Sequence, residues 1–113
     1  MTVAEATKDN FEELTAEGVV LVDVWGPDCK PCVALNPHVE KIAEQYPDVD
    51  VVKLEAPKAR RLCMSMKMMS LPVFLVFKDG EEVARLSDPQ LTPDKLQSWV
   101  DEQLESVRGE VKS

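Results

Sequence analysis

The stretch Val19-Val20-Leu21-Val22-Asp23-Val24-Trp25-Gly26-Pro27-Asp28-Cys29-Lys30-Pro31-Cys32 decides the fold. Its first seven residues are β-branched or apolar except for Asp23, which is how a strand buried on both faces reads. Gly26-Pro27-Asp28 breaks the run and predicts a loop. From Pro31 to Tyr46 the pattern changes period: Val39, Ile42, Ala43 and Tyr46 recur at helical spacing, and Pro31 suits a first helical turn. Pro37 lies inside that helix and predicts a kink, because it removes one hydrogen bond and crowds the preceding turn. The two cysteines therefore sit where a buried strand hands over to a helix.

Outward from this core, Thr7–Ala16 predicts a short helix with Phe11 and Leu14 facing inward and Gly18 as its stop signal. Thr2–Glu5 adds a possible edge strand. Asp50–Glu55 reads as a second buried strand, Lys58–Met68 as a helix and Val73–Phe77 as a strand. Lys78-Asp79-Gly80 is a hairpin turn into a strand at Glu82–Leu86. Thr92 caps a last helix with Pro93 at its first position, and Leu96, Trp99, Val100, Leu104 and Val107 form its apolar stripe. Strand–helix–strand units followed by a hairpin imply an α/β fold, a central mixed sheet flanked by helices on both faces. Residues 1–108 form a single domain in this reading, and 109–113 a C-terminal tail.

Composition narrows the function. The chain has 113 residues, 44% hydrophobic, which is one core and no more. Its 21 acids against 13 bases give a net charge of −8, which argues against nucleic acid as a partner. No apolar stretch is long enough to span a membrane, and the acidic first 18 residues do not resemble a secretory leader. A cytoplasmic protein is expected, in a compartment that keeps thiols reduced. Three cysteines cannot all pair, and with the single His38 they make a poor structural zinc set, so no metal is expected.

Cys29-Lys30-Pro31-Cys32 can be a redox pair, half a metal site or two buried thiols. Its placement after a buried strand and at a helix start favours the first. At the N-cap, Cys29 meets free backbone N–H groups and the positive end of the helix dipole, both of which stabilise a thiolate. Lys30 adds to this and Asp28 opposes it. Cys32, one turn in, is shielded but within reach and suits a resolving role. Asp23, an acid inside an apolar strand, is desolvated, so its pKa rises toward the range useful for proton transfer. The alternatives are a purely structural pair with Lys53 or a strand position from which the acid reaches solvent.

Val22-Asp23-Val24-Trp25 and Cys29-x-Pro-Cys32, with Pro37, Leu71-Pro72 and Phe77-Lys78-Asp79-Gly80, resemble the thioredoxin family over about residues 2 to 107. Gly26-Pro27-Asp28-Cys29-Lys30-Pro31-Cys32, with Lys58-Ala59-Arg60-Arg61-Leu62 downstream, is most similar to the atypical thioredoxins of strict anaerobes. These include the desulfothioredoxins, with a Pro-x-Cys-x-Pro-Cys active site. The resemblance implies the thioredoxin fold and a thiol–disulfide oxidoreductase in which Cys29 attacks and Cys32 resolves. It implies that Pro72 is cis and faces the pair, that Leu71 pairs with an extended client segment, and that Val73 borders that site. Asp23 would accept the Cys32 proton through a water, with Lys53 as its partner. Partners would be disulfide-containing client proteins and a flavoprotein thioredoxin reductase. No cofactor beyond the Cys29–Cys32 disulfide is implied, and a monomer is expected.

Four positions depart from the usual family pattern: Asp28 where Trp is common, Lys-Pro between the cysteines, Val73 where Thr is common, and Ser87-Asp88-Pro89 without a glycine. They put recognition by the ordinary reductase in doubt. Among other residues, Cys63 reads as a small buried hydrophobe, the alternative being a secondary redox-sensing or dimerising thiol. Met64, Met66, Met68 and Met69 read as core filler on one helix, the alternative being that Met66 or Met69 is exposed as an adaptable surface beside Pro72. Lys58, Arg60, Arg61 and Lys67 read as a solvated face or a steering patch, and His38 as a surface residue.

Overall fold

A computed structural model describes residues 3–107. Five strands form one mixed sheet in the order β1-β3-β2-β4-β5. They are β1 (Val3–Ala6), β2 (Val19–Trp25), β3 (Asp50–Glu55), β4 (Val73–Lys78) and β5 (Glu81–Ser87). β1, β3 and β2 run parallel; β4 pairs antiparallel with β2, and β5 antiparallel with β4. The helices are α1 (Phe11–Leu14), α2 (Lys30–Gln45), α3 (Arg60–Ser65) and α4 (Pro93–Val107), with a single 3₁₀ turn at Ala56–Lys58.

Period-2 alternation divides the sheet residues between two cores. Val20, Val22, Val24, Val52, Leu54, Val73, Leu75 and Phe77 pack with Phe11, Ala59, Cys63 and Met68 on the α1/α3 side. Leu21, Val51, Phe74 and Val76 pack with Leu35, Val39, Ile42, Leu96, Val100 and Leu104 on the α2/α4 side. The expected two-sided architecture is therefore present. β2, at the centre, is buried along Val20–Val24.

Two helices are much shorter than the sequence expectation, and the ends of several other elements shift by a residue. The first helix covers only Phe11–Leu14. Thr7 and Asn10 close a side-chain turn instead: Thr7 Oγ1 accepts from the Asp9 and Asn10 amides, and Asn10 Oδ1 accepts from the Thr7 amide at 2.6 Å. Such local side-chain bonds compete with a helix for the same backbone groups. The third helix is also short. Lys67 takes φ 59°, the Met68 amide donates to Cys63 O at 2.7 Å, and the Lys67 amide donates to Met64 O at 3.2 Å. This is a Schellman stop with lysine where glycine is usual, a conformation that costs a residue with a side chain about 1–2 kcal/mol. Arg85 offsets part of that by donating to the carbonyls of Met66 and Lys67. Among the strands, β1 runs one residue beyond the expected edge strand, to Ala6, β4 one residue further, to Lys78, and β5 one residue further at each end, Glu81–Ser87.

Other local signals agree. Asp79 (φ 50°) and Gly80 (φ 90°) form the β4–β5 turn, as a two-residue type I′ hairpin requires. Thr92 Oγ1 accepts from the Lys95 amide at 3.2 Å and caps α4. α2 continues through Pro37 as one sixteen-residue helix. The tail expected from residue 109 and the domain limit at 108 fall outside the described residues.

Candidate active site

β2 delivers the chain into a tight turn: the Cys29 amide donates to Gly26 O at 3.1 Å. Cys29 is then extended (φ −93°, ψ 103°) and is the N-cap of α2. Its sulfur accepts from the Cys32 amide at 3.3 Å, taking the place of a capping oxygen. Cys29 and Cys32 form a disulfide with their Cα atoms 5.2 Å apart. The two sulfurs are not equivalent in access: Cys29 is half-buried, whereas Cys32 is 1% exposed. Around them Pro27, Asp28 and Lys30 are exposed, and Trp25 and Pro31 are half-buried.

The α3–β4 loop approaches this turn. The Leu71–Pro72 bond is cis, as the resemblance implied. Gly26 is buried, and a Cβ there would lie 3.3 Å from Leu71 Cδ1 and 3.6 Å from Pro57 Cδ. Glycine thus lets the cysteine loop lie against Leu71. Ser87 Oγ donates to Ser70 O at 2.8 Å and anchors the same loop to β5. Val73 begins β4 and is buried.

The methionines divide. Met68 is fully buried, Met66 half-buried, and Met64 and Met69 are 63% and 61% exposed. The two exposed side chains line a groove of about 290 Å³ with Pro57, Arg60, Met68 and Leu71. Cys63 is free and buried in the wall of that groove, and burial raises its thiol pKa. Lys58 pairs with Glu55 at 3.5 Å, while Arg60, Arg61 and Lys67 face solvent. His38 is not a plain surface residue: its Nε2 bonds Gln97 Oε1 at 2.8 Å and ties α2 to α4.

Asp23 faces the α2/α4 side of the sheet, as its neighbour Leu21 does, and is 1% exposed. Its Oδ2 has no hydrogen-bond partner. Desolvation raises its pKa from 3.8 to about 7, against a smaller opposing effect of the Lys53 charge. Lys53 lies directly across the β2–β3 ladder from Asp23. No Asp23–Lys53 ion pair is formed among the described residues, although the Lys53 charge still acts on Asp23. Lys53 Nζ donates to Asn36 Oδ1 at 2.7 Å and lies 4.6 Å from the centre of the Trp25 ring. The sequence reading missed Asn36. Its signal was a polar residue one turn after Cys32, and so on the same helix face.

Among the described residues no cluster of three or more His, Cys, Asp or Glu side chains is placed to hold a metal ion. No helix among them is long and apolar enough to cross a membrane.

The thioredoxin family model matches residues 2–102. The chain is 36% identical over 99 residues to a thioredoxin of Acetoanaerobium sticklandii, covering 85% of this chain and 94% of that one. It is 37% identical over 101 residues to a thioredoxin of Peptoclostridium acidaminophilum, covering 87% and 92%. The crystal structure of spinach chloroplast thioredoxin F (short form) superposes with a TM-score of 0.78 at 28% identity, over 88% of this chain and 91% of that one. A cysteine pair at the start of α2, a cis-proline loop whose Leu71 lies against Gly26 of the turn before it, and these likenesses agree: the chain belongs to the thioredoxin family and is a disulfide oxidoreductase.

Proposed function

We propose that the protein is a dithiol reductant of client-protein disulfides. The observation that carries this reading is the unequal access of the two sulfurs at the α2 N-terminus. Cys29, once reduced, is the thiolate that attacks. Its sulfur bonds one client sulfur, the client S–S bond breaks, and the other client sulfur leaves as a thiolate and takes up a proton. Cys32 then gives its proton to Asp23, relayed by solvent, and attacks the Cys29 sulfur. The Cys29–Cys32 bond forms, the bond to the client breaks, and the second client sulfur is protonated. Two electrons and two protons have moved to the client.

The redox group is the cysteine pair itself, and the cycle uses no bound cofactor or metal. An extended client segment pairs with the backbone at Leu71, beside the cis Pro72 and buried Val73, by β-type hydrogen bonds. Met64 and Met69 offer it an adaptable apolar surface. A flavoprotein reductase restores the dithiol. The exposed Asp28, next to Cys29 where an aromatic is common, points to a reductase of different specificity from the ordinary one. Pro27-Asp28-Cys29-Lys30-Pro31-Cys32 supports a place among the atypical, desulfothioredoxin-like members. The protein works as a cytoplasmic monomer in this reading.

The test is insulin reduction driven by dithiothreitol and followed by turbidity. Catalytic amounts of the protein are expected to speed precipitation, and Cys29→Ser to return it to the uncatalysed rate. A wild-type protein without effect would overturn the reading.

A further inference from the structure

The bond from Lys53 to Asn36 bears on how Asp23 works. Lys53 stands on the ladder between two acids, Glu5 of β1 and Asp23 of β2. Its ammonium reaches neither: it donates to Asn36 Oδ1 and lies against Trp25. Asp23 Oδ2, one strand away, is left as a buried oxygen without a partner. A lysine chain can span neighbouring strands, which lie about 4.8 Å apart. The separation of the two charges is therefore imposed by what holds Lys53.

We propose that Asn36 is a positioning residue: by accepting the Lys53 ammonium it holds that charge off the Asp23 carboxyl, and so governs how readily Asp23 takes the Cys32 proton. The inference rests on the reading of Asp23 as proton acceptor. A cation brought within about 4–6 Å of a carboxylate lowers its pKa by about 1 to 3. A carboxylate so stabilised is a weaker base. The layer around Asp23 offers few other charges to interfere. β4 contributes uncharged Phe74 opposite it, and α4 contributes apolar Leu96, Val100 and Leu104. α2 contributes Cys32 and Asn36 themselves, and Lys53 is the charged neighbour from β3.

The experiment is an NMR titration of the Asp23 carboxyl in the oxidised protein, in wild type, Asn36→Ala and Asn36→Asp. In Asn36→Ala the freed ammonium turns to the buried oxygen, and the midpoint falls by about 1 pH unit or more. Asn36→Asp keeps an acceptor for Lys53 and adds a second negative charge, so the midpoint stays or rises. A midpoint unchanged in Asn36→Ala would show that Lys53 swings to Glu5 or solvent instead, and would overturn the inference. A fall in both variants would also overturn it, because loss of the asparagine would then act through packing. The pH profile of client reduction by Asp23→Asn is measured beside it. If that profile matches wild type, the proton-acceptor reading fails, while the titration, which needs no turnover, still decides the role of Asn36.

Discussion

Cys32→Ser is expected to accumulate a stable mixed disulfide with client protein through Cys29 and to stop turning over, whereas Cys29→Ser is expected to trap nothing and reduce nothing. The asymmetry follows from position. Cys29 is half-buried at the N-cap, among helix N–H groups whose partial positive charge favours a thiolate. Cys32 is 1% exposed and cannot present its sulfur to a partner before Cys29 has engaged. Without Cys32, the bond made by Cys29 has no neighbouring thiol to release it. Non-reducing gels and mass spectrometry of the trapped species read the outcome. A mixed disulfide that forms through Cys32 in Cys29→Ser, at a comparable yield, would reverse the assignment.

The second large effect is on stability, and it depends on pH. Asp23 keeps its proton up to about pH 7 in the folded protein, while the unfolded chain loses it near 3.8. Between these values the unfolded state is ionised and the folded state is not, so folding stability falls as pH rises. Below about 4 both states are protonated and the effect vanishes; above about 7 it is complete. The gap of about 3 pH units corresponds to about 4 kcal/mol. Asp23→Ala removes this penalty and also opens a small cavity, whose cost does not change with pH. The stability of the variant relative to wild type is therefore expected to rise by about 4 kcal/mol from pH 4 to pH 8. Denaturant titrations at the two pH values measure it. Parallel pH dependences would mean that Asp23 ionises in the folded protein near its ordinary value.

Cys29 and Asp23 also show how much of the site is legible in the sequence. β2 begins and ends where its apolar and β-branched run begins and ends, because it is buried on two faces, whereas β3 is marked by buried Val51, Val52 and Leu54 and extends past them to Asp50 and Glu55. Cys29 at a helix start followed from the strand-to-helix change of period, and the desolvation of Asp23 from its apolar neighbours. The partner of Lys53 did not follow. The ladder places Lys53 opposite Asp23, and only the packing of α2 shows that Asn36 competes for the ammonium. The short first and third helices were missed for a related reason. Side-chain bonds at Thr7 and Asn10, and a left-handed lysine at 67 clamped by Arg85, overrule patterns that look helical over a longer window. The methionines could not be sorted by type: Met68 and Met69 are adjacent, and one is core while the other is surface.

The central claim is that Cys29 and Cys32 cycle between dithiol and disulfide at a reducing potential. Its most direct test is equilibration in graded redox buffers, followed by alkylation trapping and mass spectrometry of the pair. The reference is the potential general for thioredoxins, about −270 mV, and the account predicts a value near it. A value above about −180 mV would contradict a reductant and indicate an oxidant or isomerase. If no Cys29–Cys32 disulfide forms at any potential, the redox account is wrong.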